Sequence, residues 1–226
     1  MRFLKRLYRR ASKLLPGQTA AHPDMEYIFT KDYYISLGDK YASPEQYVDV
    51  LKEMEKRYVH YTRESIGAHG YFSECVDPHA LAASLGEAVF KFKNKAVLQT
   101  ELHFFKTELG GIRAGVEAHF FQERLFMLNY VFPQLNPASR SWLFNILNDK
   151  YGLALKSEET NKVAIHDNAE NLLLFYHSGT AFHTIELSYL HLASPFWKQA
   201  QFCMVEQSEK ELNTFINHEK ELYRKL

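Results

Sequence analysis

Residues 96–132, AVLQTELHFFKTELGGIRAGVEAHFFQERLFMLNYVF, decide the fold. Three β-prone runs, about 96–106, 112–121 and 124–132, are parted only by a stretch around Gly110-Gly111 and by Gln122-Glu123. They are rich in Phe, Leu, Val and Tyr, which suit a pleated, half-buried surface. Connections this short leave no room for a crossover, so neighbouring strands run antiparallel. A fourth run at about 87–93, ended by Asn94-Lys95, extends the group upstream. Three more strands are expected downstream at about 161–167, 171–177 and 181–192, with turns at Asn168-Ala169-Glu170 and Ser178-Gly179-Thr180.

Helices separate these runs. One is predicted over about 44–61, with Ser43 as N-cap, Pro44 at the first helical position and Gln46 completing a capping box. A short one at about 78–85 has Asp77, Pro78 and Gly86 as its signals, and another at 137–151 has Asn136, Pro137 and Gly152. A last helix is predicted over about 207–224 from the stripe Leu212, Phe215, Ile216, Leu222, Tyr223. Residues 25–37 hold only short β-prone pieces, Tyr27-Ile28-Phe29 and Tyr33-Tyr34-Ile35. The expectation is an α+β fold whose antiparallel sheet consists of two meanders, about 87–132 and 161–192, with helices packed on it. Residues 25–226 are read as a single α+β domain, with two lobes as the alternative.

The 226 residues carry 27 basic and 27 acidic groups, but unevenly. Arg2, Lys5, Arg6, Arg9, Arg10 and Lys13 fall within residues 1–15, which contain no acid. The rest of the chain has 21 basic against 27 acidic residues, a net charge of −6. A globule of that balance has no general attraction for phosphate backbones, which argues against nucleic acid as a partner. In residues 1–15, Phe3, Leu4, Leu7, Tyr8, Ala11, Leu14 and Leu15 recur at helical spacing opposite the basic positions. Pro16-Gly17 ends that helix, and residues 16–24 read as a linker. Such a segment suits an anionic membrane surface or the groove of a protein partner; the other readings are an organelle presequence and a helix packed on its own domain. No run approaches the roughly 18 apolar residues of a membrane span, and the N-terminus lacks the apolar stretch of a secretory signal. Two cysteines, Cys75 and Cys203, make neither a disulfide framework nor a thiolate zinc site. A cytoplasmic protein, membrane-peripheral if residues 1–15 bind lipid, is expected.

The hairpin of strands 96–106 and 112–121 carries the one chemical constellation. Burial selects pairs whose residue numbers sum to an even value, because Leu102, Phe104, Ile112, Ala114, Val116 and Ala118 then share a face. In the register summing to 220, Glu101 lies opposite His119 and His103 opposite Glu117, with Cβ atoms about 5 Å apart. Two His and two carboxylates on one face suit zinc or iron, or a Glu-supported His as general base. The plainer alternative is cross-strand charge pairing on a solvated face. Phe105 and Phe121 on that same face argue that it is covered or binds something.

Well-marked catalytic motifs are missing: no phosphate-binding Gly-rich loop, G-x-S-x-G, H-E-x-x-H or C-x-x-C occurs. Cys75 near His69 and His79 is a weak thiol candidate, and His177, His183 and His191 read as core-edge residues. The expected function is therefore a non-catalytic binding or adaptor protein that contacts a protein partner or membrane surface. A metal-dependent enzyme using Glu101, His103, Glu117 and His119 is the first alternative. A binder of small apolar ligands under a curved sheet is the second.

Overall fold

The computed structural model describes residues 29–52, 58–67, 76–94, 99–153, 161–178 and 184–225. Five helices and eight strands lie within them: α1 (Lys31–Lys40), α2 (Pro44–Lys52), β1 (Tyr58–Tyr61), α3 (Pro78–Leu85), β2 (Phe90–Asn94), β3 (Thr100–Leu109), β4 (Ile112–Phe121), β5 (Arg124–Phe132), α4 (Pro137–Tyr151), β6 (Lys162–His166), β7 (Asn171–His177), β8 (Ile185–His191) and α5 (Pro195–Lys225). The strands form one sheet in the order β1-β6-β7-β8-β5-β4-β3-β2. Every neighbouring pair is antiparallel except β1 with β6, so the fold is α+β with a mixed, largely antiparallel sheet.

Both faces of the sheet are buried. One is covered by α3 and α4, which bring Leu81, Leu143, Phe144, Leu147 and Tyr151 against Phe105, Val116, Ala118 and Phe120. The other is covered by α1, α2 and α5, which bring Leu37, Tyr47, Val48, Phe196 and Trp197 against Leu102, Phe104, Phe126 and Met127. The capping residues work as the sequence suggests. Ser139 N–H donates to Asn136 Oδ1 at 2.8 Å, Ala80 N–H to Asp77 Oδ1 at 2.8 Å, and Ser43 N–H to Gln46 Oε1 at 2.8 Å.

Two-sided burial overturns the predicted hairpin register. The strands pair as Leu102↔His119, His103↔Ala118 and Phe104↔Glu117, an odd sum. Burial of one face no longer selects the register, since either choice puts apolar side chains inside. The turn selects it instead. Gly110 and Gly111 have φ of +60° and +82°, and Leu109 pairs with Ile112 across them. Two residues of positive φ make the tight turn whose twist matches the strands, and glycine meets that demand without strain. At Gly110 a side chain is excluded on a second count, because a Cβ there would lie 2.5 Å from Trp142.

Three element boundaries also differ. Of the helix expected over 44–61, Pro44–Lys52 is helical, and Tyr58–Tyr61 form a strand instead. Tyr-Val-His-Tyr is β-prone, and the outer edge of β6 supplies a ladder for it. Residues 33–35 are helical rather than extended. Thr30 caps α1 by accepting from Tyr33 N–H, and Asp32 and Lys40 complement the helix dipole at its two ends. The last helix begins at Pro195 rather than near 207, with Ser194 Oγ accepting from Phe196 N–H at 3.4 Å.

Tight packing predicts a sensitive glycine in mid-strand. A Cβ on Gly115 would stand 2.6 Å from Phe104 and 2.7 Å from Phe29. Gly115→Ala is expected to lower unfolding free energy by about 1–3 kcal/mol, read as an earlier urea midpoint with an unchanged slope.

Candidate functional site

The odd register decides where the Glu and His residues go. Alternate residues of a strand point to opposite faces. Glu101 and His103 therefore share the face of Phe105 and Phe120, under α3 and α4. Glu117 and His119 share the face of Leu102, Phe104 and Phe121, under α1, α2 and α5. The sheet stands between the two pairs, so the predicted four-residue cluster on one face does not form. Among the described residues, no three His, Cys, Asp or Glu converge to hold a metal ion.

Glu101 and His103 make a small pair of their own. His103 Nε2 lies 2.7 Å from Glu101 Oε1, and Lys93 Nζ lies 3.0 Å from Glu101 Oε2. Partial burial pushes the Glu101 carboxyl up, but hydrogen bonds and charge from His103 and Lys93 outweigh it and hold the group below its ordinary range. His103 is buried against Phe120, with ring centroids 5.3 Å apart. This is a hydrogen-bonded pair, with Glu101 partly exposed and His103 buried.

The other pair lies at the centre of an interior network. Glu117 is 1% exposed and His119 0%. Glu117 Oε1 accepts from Tyr33 Oη at 2.7 Å, while Oε2 accepts from Tyr41 Oη at 3.2 Å and Asn129 Nδ2 at 2.9 Å. Asn129 Oδ1 in turn accepts from Ser188 Oγ at 3.0 Å. Glu117 pairs with Asn129, and Asn129 with Ser188, so these three form a polar row across β4, β5 and β8. Tyr33 comes from α1 and Tyr41 follows its last turn. The network thereby ties the first helix to the middle of the sheet. A second tie comes from α2, whose Tyr47 Oη lies 3.1 Å from His119 Nδ1.

Burial sets the protonation states. It is the largest cause lifting the Tyr33 and Tyr41 phenols far above their ordinary range, and the adjacent Glu117 charge lifts them further. Burial raises Tyr47 as well, against a lowering hydrogen bond from Thr100. Burial, aided by the Lys40 charge, holds His119 well below its usual range. The imidazole is therefore neutral at pH 7, the phenols keep their protons, and Tyr33 and Tyr41 donate theirs to Glu117. His119 packs edge-on to Tyr41 at 4.3 Å, and its buried Nε2 has no hydrogen-bond partner among the described residues. At the rim, Lys40 Nζ lies 4.0 Å from Glu186 and 5.1 Å from the Tyr41 ring centre. This arrangement can hold a carboxylate in apolar surroundings and fix the position of two helices. A substrate would have to displace α1 or α2 to reach it.

Asn129, Ser188, Tyr33, Tyr41 and Tyr47 come from separate parts of the chain, so no single stretch of sequence marks them as one site. The available signals were Asn129 interrupting the apolar run LFMLNYVF, and Thr30 with Asp32 starting a helix that carries Tyr33. Other candidates stand apart. His191 Nδ1 lies 2.9 Å from Asn171 Oδ1, His177 is buried, and Cys203 is a free, partly buried thiol packed against Phe196 and its neighbours. Cys75, His69, His183 and the basic residues Arg2, Lys5, Arg6, Arg9, Arg10 and Lys13 lie outside the described residues.

Two predictions test the network. Tyr33→Phe and Tyr41→Phe should each cost about 1.5–3 kcal/mol, the range for a hydrogen bond to a charged group, and Glu117→Leu should cost more than either by stranding three donors. Denaturant melts read all three. The second concerns His119, whose folded-state pKa lies well below the ordinary 6.5 of a histidine. As pH falls below that value, the unfolded chain takes up a proton that the folded chain refuses, so stability present above it is lost. Between about pH 6.5 and 5, wild type should lose up to about 1.4 kcal/mol per pH unit more than His119→Phe.

No family model and no curated protein matches the chain. Among solved structures, a cysteine-rich secretory protein of Staphylococcus aureus subsp. aureus Mu50 overlaps it with a TM-score of 0.36 at 9% identity, over 59% of this chain and 50% of the other. The chain thus spans about half of that protein, and a likeness this slight carries no argument about fold or function.

Proposed function

We propose that the protein is a non-catalytic binding or adaptor protein of the cytoplasm, which works by presenting surfaces rather than by chemistry. The carrying observation is where its side chains lie. Glu117 and His119, the best-equipped acid and base, are sealed at 1% and 0% exposure, whereas Phe202, Val205, Leu212 and Phe215 of α5 are exposed by 55–70% (62, 56, 59 and 67%). Exposed apolar side chains gathered on one element mark contact surfaces more often than scattered ones do. The basic, amphipathic sequence of residues 1–15 supplies a second contact, and its chemistry suits an anionic membrane surface. Among the described residues, no helix is long and apolar enough to cross a membrane.

Co-sedimentation with phosphatidylserine-containing and neutral phosphatidylcholine vesicles tests the lipid contact. The full chain should bind the anionic vesicles alone, and binding should weaken steeply with salt. Replacing Arg2, Lys5, Arg6, Arg9, Arg10 and Lys13 together by Gln should abolish it. Equal binding to both vesicles, or binding by the Gln variant, would remove residues 1–15 from the proposal and leave a protein partner as the contact.

A further inference from the structure

We infer that His119 makes α1 and α2 an acid-sensitive cover: the two helices lift from the sheet as one unit, lifting lets His119 take up a proton, and acid therefore favours the open form. This goes beyond the surface contacts proposed above and does not depend on them.

The two helices are tied to each other as well as to the sheet. Gln46 Nε2 of α2 donates to Asp39 O of α1 at 2.8 Å, and Gln46 Oε1 accepts from Ser43 N–H in the connection. The Tyr41 and Tyr47 rings lie 5.0 Å apart. Few of their residues are fully buried: Leu37 in α1, Tyr41 after it, and Pro44, Tyr47 and Val48 in α2. Part of what holds them down is polar, because Tyr33 and Tyr41 reach Glu117 and Tyr47 reaches His119. Water can replace these partners once the helices lift, so the interface opens at lower cost than a purely apolar one of its size. The core on the opposite face, where Phe144 of α4 lies 4.6 Å from Phe175, has no part in the movement.

His119 lies directly beneath this cover. Tyr41 packs on its ring at 4.3 Å and Tyr47 at 5.6 Å. The charged and titratable groups around it are Lys40 and Tyr41 from α1 and its end, Tyr47 from α2, and Glu117 two residues back on β4, with Glu186 of β8 beside Lys40. β3 and β5 set Leu102 and Met127 opposite it, Phe126 lies 6.1 Å away, and α5 adds Phe196 against Tyr47. An imidazolium here would carry two N–H groups. Nδ1 has Tyr47 Oη at 3.1 Å, but Nε2 has no hydrogen-bond partner among the described residues. The Glu117 oxygens already accept from Tyr33, Tyr41 and Asn129, and the Lys40 charge repels a second cation. A buried charge with a bond unmade is very costly, so the closed form excludes the proton.

Lifting α1 and α2 takes Tyr41 and Tyr47 away and gives both ring nitrogens to water. Closed, His119 is neutral; open, it binds a proton as an ordinary histidine does. Acid therefore draws the equilibrium toward the open form, and neutral pH shuts it. Opening bares Tyr41, Tyr47 and Phe126, all buried in the closed form. A single buried histidine thus ties exposure of an aromatic face to pH.

Hydrogen exchange of the full chain, read by mass spectrometry as protection factors at about pH 7 and about pH 5, tests the cover. Peptides from 31–52 should be at least about ten-fold less protected than those from 162–177 at both pH values, the mark of an opening smaller than global unfolding. Their protection should fall about 20–30-fold from the higher pH to the lower, the effect of one histidine whose ordinary value is 6.5. His119→Phe and His119→Leu cannot take up the proton, so most of that fall should vanish in them. Far-UV circular dichroism shows which of the two keeps the wild-type fold. Equal protection of 31–52 and 162–177 would mean that the helices leave only when the whole chain unfolds, and overturns the inference. Protection of 31–52 that is indifferent to pH in wild type, or that falls as far without His119, overturns it too.

Discussion

A carboxylate in the middle of a buried sheet is costly unless its oxygens are satisfied. Glu117 sits at that point, on β4 and under α1. The sheet supplies one donor, Asn129; the other two, Tyr33 and Tyr41, come from the first helix and the residue that follows it. Correct docking of α1 is therefore the condition for solvating Glu117 by protein. His119 repeats the device one step along the same strand with Tyr47 of α2. The aromatic packing around these atoms, Phe29 on Tyr33 and Tyr41 on Tyr47, fills the space that water would otherwise need. Polar requirement and apolar packing thus select the same arrangement of helices, which is how a buried network can specify one structure over its neighbours.

The local chemistry of the fold was legible in the sequence. Prolines and caps at 77–78 and 136–137 place two helix starts, and Gly152 ends the second in a left-handed turn. What could not be read was how many faces of the sheet are covered. With one face buried, alternation fixes the register; with two, the residues of β3 and β4 satisfy burial either way, and only the turn decides. Gly110-Gly111 carries that information, because two residues of positive φ make the turn that pairs Leu109 with Ile112. The consequence for the site is direct. The same four residues, Glu101, His103, Glu117 and His119, form one cluster or two separate pairs according to a shift of one position. The short strand at 58–61 was hidden for another reason: its tyrosines continue the helical spacing of α2, and its partner β6 lies far along the chain.

The two halves of α5 show the difference between burying and offering apolar surface. Phe196 stacks on Phe126 with centroids 3.9 Å apart, whereas Phe215, on the same helix, is two-thirds exposed. Helix propensity alone would not distinguish them. The distinction lies in where each sits along the helix: Phe196 packs in the first turn, and Phe215 stands about five turns further on.

The contacts of the N-terminal helices also set an order on synthesis. Tyr33 and Glu117 are 84 residues apart, and Ile66 meets the Asp167 carboxylate across 101. A chain that emerges from the ribosome N-terminus first makes α1 and α2 long before the surface they dock on exists. Their tyrosines must wait, exposed, until β4 has left the exit tunnel, and β1 must wait longer for β6. Domains with such long-range closure fold slowly and are vulnerable while incomplete. For this protein the vulnerable interval opens at translation of residue 41 and lasts until the strands and the last helix that cover its aromatic helices have emerged.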